Sequence, residues 1–392
     1  MPDLGYPVFD ADNHFYETEE SFTRHLPKKF RKDIQYVEVN GRKKLALCGH
    51  YSDYIPNPTF EVVARPGSHE PWFRAQNPEG KTLREITGAP ERCRDEYRDP
   101  EKRLALMDEQ GIQGTVLFPT LASAIEENTS HNHELLYAAM RSFLQWMDET
   151  WGFNHADRIW AVPILSLMDV EMACEDLEWC LERGAKTVGI RPAPVPGYRQ
   201  SRSFGFEEFD PFWARVNEAG IPVMMHASDS GYIRYVNDWT GGKDFLPFDP
   251  DPFRSVVMSG RPIYDSVAAL IVHGVFRRHP KVRVACIENG CKWVSWLASA
   301  LKSAYGQMPR SFHEDPLETL RRHIYVSPFY EEDLDELASV VGVERILFGS
   351  DFPHPEGLAE PLDFVKELSA FSPADQQKVM STNLQEMLAP PS

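Results

Sequence analysis

The sequence predicts an α/β fold, a (β/α)8 TIM barrel with an insertion after strand one and a long loop after strand five. Three observations predict it. Eight short, nearly continuous apolar runs recur along the chain, amphipathic helical patterns separate them, and several of the runs end in acidic residues or histidine. Continuous apolar runs suit parallel strands covered on both faces, and parallel neighbours require a crossover, usually helical. An open α/β sheet is the alternative. The runs occupy 8–12, 114–118, 159–165, 187–191, 222–226, 282–288, 324–327 and 345–350. Helical patterns cover 100–110, 132–150, 169–183, 207–219, 262–279, 291–305, 330–341 and 359–371, and a last helix covers 373–388. Asp99 before Pro100, Ser130 ahead of the 132–150 helix and Ser372 before Pro373 read as caps. Gly111, Gly184 and Gly220 read as helix stops.

Two stretches break the rhythm of what reads as one domain over 1–392. Residues 15–99 hold a hairpin, Tyr36-Val-Glu-Val and Lys44-Leu-Ala-Leu about the turn Asn40-Gly41, then a Pro-, Gly- and aromatic-rich segment. Residues 227–260 are rich in Asp, Pro, Phe and Gly. Both are expected to cover the catalytic face as lids, because long loops in compact domains are usually functional. The first carries Phe60, Arg65, Trp72, Phe73 and Arg74. Trp72 and Arg74 suit contact with a flat or anionic ligand, or else a small core of the insertion itself.

Composition narrows the partners. The 392 residues include 41 basic and 59 acidic side chains, a net charge of −18. That argues against nucleic acid or an anionic membrane as partner and leaves a small molecule. None of the six cysteines forms a C-x-x-C pair, which fits free thiols in a reducing cytoplasm. No signal peptide or membrane-length apolar run is visible. Phosphate-loop, dinucleotide, zinc-protease and serine-hydrolase motifs are missing from the sequence.

In a barrel of this kind, reactive groups sit at the C-terminal ends of the strands. Strand one ends in Asp10-Ala-Asp12-Asn-His14, strand five in His226, strand six in Glu288, and strand eight in Asp351-Phe-Pro-His354. Asp12 and His14 are two residues apart and share one face of an extended strand. Singly, each has a bland explanation as a cap, a surface pair or a hydrogen-bonded histidine. Jointly, converging carboxylates call for a cation between them. Arg191 ends strand four, where it could grip a substrate carboxylate or pair with a buried acid. His354 reaches the site or only braces its turn. His131-Asn-His133 spells a metal motif but starts a helix, where residues i and i+2 do not share a face.

These residues resemble the amidohydrolase superfamily over essentially the whole chain. The similarity is to the branch holding aminocarboxymuconate-semialdehyde decarboxylase and the γ-resorcylate-type aromatic decarboxylases. It is carried by Asp12-Asn-His14, by His226, by His279-Pro280 followed by Glu288-Asn-Gly and Trp293, and by Gly349-Ser-Asp351-Phe-Pro. The resemblance implies a divalent metal, Zn or Mn with Fe as a further option, bound by Asp12, His14, His226 and Asp351. Strand four has no lysine at its end, so the bridging carbamylated lysine of binuclear members is missing, which favours one metal per subunit. Glu288 stands where many members carry a histidine; it serves in acid–base work or, as a ligand, makes a second metal possible. Asp351 and His226 are the other catalytic candidates, and Asn383 matches a structural asparagine. The implied activity is hydrolysis or non-oxidative decarboxylation of a small, carboxylated or aromatic metabolite by a cytoplasmic homodimer. A dinuclear Fe/Mn oxygenase and an inactive partner subunit are the alternatives.

Overall fold

Seven of the eight apolar runs form parallel strands in the structure, a computed structural model that describes residues 4–52, 54–55, 57–242 and 250–391. Residues 53 and 56 of the first insertion and 243–249 of the second lie outside the described residues. In chain order the strands are β1 (Val8–Phe15), β2 (Ile34–Val39), β3 (Arg42–Leu47), β4 (His50–Ser52), β5 (Val62–Val63), β6 (Glu91–Arg92), β7 (Ile112–Pro119), β8 (Ile159–Ala161), β9 (Ile164–Leu165), β10 (Val188–Ile190), β11 (Val223–His226), β12 (Val284–Ile287) and β13 (Ile324–Val326).

One parallel sheet runs β1-β7-β8 and another β13-β12-β11-β10-β9. The 159–165 run serves both, because β8 pairs with β7 while β9 pairs with β10. Between them Val162 N donates to Leu117 O, and Pro163, lacking an N–H, accepts from Gly189 N at 2.8 Å. The 345–350 run is not a strand. Leu347 N donates to Val326 O at 2.9 Å and Ala11 N to Phe348 O at 2.8 Å, so it lies between β13 and β1. Its ladder breaks because Phe348 N turns to Val379 O instead. One apolar cluster draws Ala11, Val116, Met224 and Ala285 from the parallel strands and Val162 and Leu347 from the segments beside them, while a larger one fills the space between strands and helices.

The helices follow the sequence with four corrections. Asn132, not Ser130, caps the helix His133–Thr150, accepting from Leu135 N at 3.2 Å. Ser130 is still α-helical at the end of the preceding helix, and its hydroxyl donates back to Glu127 O. The 262–279 stretch splits at Gly274, whose φ of 75° stops one helix and starts another. Residues 359–371 form a 3-10 helix, Pro361–Leu368. The last helix widens to π geometry over Lys378–Thr382. Asp99 and Ser372 cap as expected, accepting from Lys102 N and Asp375 N.

The hairpin forms as predicted. Asn40 (φ 52°) and Gly41 (φ 73°) take the left-handed conformations that a two-residue turn needs. The first insertion lies on the loop after 345–350, with Gly67 N donating to His354 O and His69 N to Pro355 O. The second contributes the helices Ile233–Thr240 and Pro252–Met258. All six cysteines are free. Among the described residues no helix is long and apolar enough to cross a membrane.

Candidate metal centre

The strand-end residues singled out from the sequence meet in one buried space. His14 Nε2 lies 3.3 Å from Asp12 Oδ1, 3.4 Å from Asp351 Oδ1 and 3.6 Å from Glu288 Oε2. His226 Nε2 lies 2.9 Å from Glu288 Oε2, 3.6 Å from Asp12 Oδ1 and 3.1 Å from His14 Nε2. Ligand atoms of Asp12, His14, His226 and Glu288 fall within 4.8 Å of one another, and His14, Glu288, Asp351 and His354 form an overlapping group.

Backbone irregularity aims these side chains. The β1–β7 register slips between Asp10 and Asn13, as at a bulge, which re-aims the residues around it. Glu288 (φ 53°) and Asp351 (φ 55°) sit in the left-handed region. For residues other than glycine this costs about 1–3 kcal/mol each and persists where the surroundings enforce it.

A second layer of bonds fixes the first. His226 Nδ1 donates to Ala227 O at 2.7 Å, which turns Nε2 toward the cluster. Asp10, fully buried, accepts from Asp12 N, Asn13 Nδ2 and Ser350 N at 3.0 Å each, and from Ser350 Oγ, tying β1 to the 345–350 segment. Arg103 is also fully buried; it donates to His14 O at 2.6 Å, Glu96 O at 2.8 Å and Asn13 Oδ1. The His354 ring stacks on His14 with centroids 3.9 Å apart; its Nδ1 lies 2.8 Å from Asp351 Oδ1 and its Nε2 3.0 Å from Thr120 Oγ1. Glu17, buried behind it, accepts from Thr120, Leu121 and Ala122 N, and burial pushes its carboxyl up to about 7.

Charge decides what this space can hold. Burial opposes a charge on His226, yet Glu288 and Asp12 drive it up to about 10. Burial likewise opposes a charge on His14, but hydrogen bonding to the carboxylates of Asp12 and Glu288 raises it. Asp351 is raised well above the carboxylate range by burial, then by Glu288 and Glu356. Two imidazoles are thus drawn toward the charged form because the carboxylates of Asp12 and Glu288 face them. The buried atoms Asp12 Oδ1, Asp351 Oδ1, His14 Nδ1 and His354 Nδ1 make no well-aligned hydrogen bond. A nitrogen-and-carboxylate donor set with orphaned oxygens fits a divalent cation of the Mn or Zn kind.

Beside the cluster lies a small cavity of roughly 30 Å³ lined by Phe118, Ile164, Ile190, Met224 and His226, with Arg191 and Glu126 on its wall. Arg191 lines this cavity and is paired with acids, the second of its two alternatives: Nη1 is 2.5 Å from Glu127 Oε2 and Nε is 3.6 Å from Glu126 Oε2. Trp72 is half-buried on the short helix Glu70–Phe73. Arg74 binds Glu70 at 2.8 Å and Glu367 at 2.6 Å and covers the Tyr330 ring. His133 pairs with Asp169 and takes no part in the cluster, and Asn383 donates to Val343 O and Ile346 O. Sequence reasoning missed Asp10 as a clamp, and also Glu17, Arg103, Glu126 and Glu127. Glu126 and Glu127 carried a signal, adjacent acids shortly after the strand-two run, but it was lost among 59 acidic residues.

The family model described as Amidohydrolase matches residues 10–388. An amidohydrolase of Mycobacterium avium subsp. paratuberculosis K-10, whose crystal structure is known, is 44% identical; the match covers 99% of this chain and 100% of that one, with a TM-score of 0.93. Gamma-resorcylate decarboxylase of Rhodococcus jostii is 21% identical over 301 residues, 72% of this chain and 84% of its own length. The structure of 5-carboxyvanillate decarboxylase of Novosphingobium aromaticivorans, complexed with manganese, shares the fold at 17% identity and a TM-score of 0.57, covering 98% of this chain and 97% of that one.

Proposed function

This chain belongs to the amidohydrolase family, and on that premise we propose that it is a metal-dependent, non-oxidative decarboxylase of a small aromatic carboxylate. One observation carries the reading: Asp12, His14, His226, Glu288 and Asp351 converge beside a cavity with apolar walls. Asp12, His14 and His226 would hold the metal, with Glu288 and Asp351 facing the same space. A divalent ion bound there supplies a Lewis-acidic charge that draws in a carboxylate and the oxygen next to it. The chain's own groups do the rest. Phe118, Ile190 and Met224 grip the ring and exclude water. Asp351 holds a proton on its carboxyl, beside His354 Nδ1 at 2.8 Å. As the carbon–carboxylate bond breaks, CO2 leaves and the electron pair left on the ring carbon takes the Asp351 proton. Trp72 and Arg74 belong to the first insertion, which we read as a cover over the site because Gly67 N and His69 N bond His354 O and Pro355 O.

The names of the relatives favour decarboxylation over hydrolysis and bring no support for an oxygenase or an inactive subunit. We read the two parallel sheets as arcs of one closed (β/α)8 barrel in a single domain, supported by the hydrogen bonds of Leu347 and Phe348 to both flanking strands. A homodimer belongs to the same reading, supported by exposed Trp239 and Val256 on neighbouring helices. The test is CO2 release by Mn-loaded protein across hydroxybenzoates. Release that is abolished by chelation is expected. Hydrolysis of esters or lactones with no CO2 from any of these acids would overturn the decarboxylase reading.

A further inference from the structure

We infer that the substrate bears a single carboxylate, and that Glu126 excludes a second anionic group from the far wall of the cavity. This rests on the decarboxylase reading and adds to it the charge the substrate must have.

An arginine at a strand end beside such a cavity would ordinarily be the anchor for a second carboxylate. Arg191 is not available for that role. Its Nη1 is shared between Glu127 Oε2 at 2.5 Å and Asp229 O at 3.1 Å, and its Nε faces Glu126 Oε2 at 3.6 Å. Two carboxylates therefore surround one guanidinium. Arg234 contacts Glu127 as well, but its side chain is 72% exposed and water screens it. Glu126 and Arg191, at 9% and 6% side-chain exposure, are not screened. Besides His226 of the metal cluster, they are the charged side chains on the cavity wall. A second substrate carboxylate would meet the buried Glu126 beside a guanidinium that two carboxylates already match.

The same wall suits a hydroxyl. Glu126 Oε1 accepts from Ser166 Oγ at 3.0 Å, and a carboxylate has acceptor sites to spare. Ser228 also lines the cavity, and its buried Oγ has no hydrogen-bond partner. A phenolic O–H that reached this wall would find an acceptor in Glu126 and a donor in Ser228. The relatives fall on both sides of this division: γ-resorcylate carries one carboxylate and ring hydroxyls, whereas 5-carboxyvanillate carries two carboxylates.

The experiment is titration calorimetry on the Mn-loaded full chain with three acids that share a salicylate head: 2-hydroxybenzoate, 2,5-dihydroxybenzoate and 5-carboxysalicylate. The dianion is expected to bind at least tenfold more weakly than the dihydroxy acid. Glu126→Gln should shrink that ratio to threefold or less, a change that a merely structural role would not produce. Ser228→Ala, which leaves Glu126 in place, should weaken the dihydroxy acid several-fold and leave 2-hydroxybenzoate unchanged. Equal binding of both acids to the native protein, or an unchanged ratio in a folded Glu126→Gln, overturns the inference while leaving the decarboxylase reading intact. Failure of all three to bind in a Mn-dependent way overturns that reading instead.

Discussion

Replacing Gly349 by alanine tests whether the metal centre depends on close approach of two chain segments. Gly349 precedes Ser350 and Asp351 and lies against β1. A Cβ there would stand 2.6 Å from Asp12 Cβ and would also press on Ser327 Oγ. The serine hydroxyl can rotate away, but Asp12 Cβ is fixed to its backbone. Ordinary contact begins at 3.4 Å, so Asp12 or the 345–350 segment must move by about 0.8 Å. Metal–ligand distances tolerate roughly 0.2 Å, so a shift of this size spoils the Asp12 position. Disturbing such supports typically weakens metal binding about 10–100-fold, and overpacking costs about 1–3 kcal/mol. Mn affinity by competition with a chelator, and the melting temperature with and without Mn, read both effects. Gly306→Ala is the control: it lies in the helix Lys292–Gln307 with nothing within 4 Å of its would-be Cβ, and alanine should be neutral or stabilise by up to about 1 kcal/mol. If Gly349→Ala binds Mn within threefold of the native protein and melts at the same temperature, the reasoning fails.

Asp351→Asn should lower turnover by about 10²–10⁴-fold in a CO2-release assay while the protein stays folded by circular dichroism. Arg103→Leu strips donors from His14 O, Glu96 O and Asn13 Oδ1 and should cost about 3–5 kcal/mol in urea unfolding, because buried acceptors are left unpaired. Removing metal by chelation should lower the melting temperature and readdition of Mn should restore it; at 100 times Kd the ion contributes about 2.7 kcal/mol. Burial holds His69 down at about 4, below its ordinary 6.5. The folded state therefore prefers neutral His69, and its contribution is present above pH 6.5 and lost as pH falls toward 4. His69→Gln, which loses the bond to Thr87 Oγ1 at every pH, should gain stability relative to the native protein over that window, measured by chemical denaturation at each pH.

The strand-end residues were legible because their positions follow from periodicity: a polar residue closing an apolar run of parallel-strand character stands at one end of the sheet. That logic located Asp12, His14, His226, Glu288 and Asp351, and the cluster brings them together. It said less about Arg191, which could reach a substrate or a buried acid from the same place; the two acids after the second run settle on pairing. Trp72 and Arg74 sat in an insertion without a period to phase them. Arg74 is engaged by Glu70 and by Glu367, which is 293 residues away in sequence. No local pattern announces a partner at that separation.

By itself, the sequence determined the alternation of strands and helices, the hairpin turn at Asn40-Gly41 and the metal-ligand chemistry of the strand ends. All three are local properties: side-chain periodicity, left-handed tolerance and residue type. Only the tertiary structure decided that Asp10 and Arg103 clamp β1, that Glu288 and Asp351 take left-handed backbone, and that Glu126 and Glu127 neutralise Arg191. The reason is physical. Which charges cancel, and which buried carbonyl finds a donor, depends on the few ångströms between segments distant in sequence, and in a low-dielectric interior those distances set both the pairing and the charge a ligand must bring.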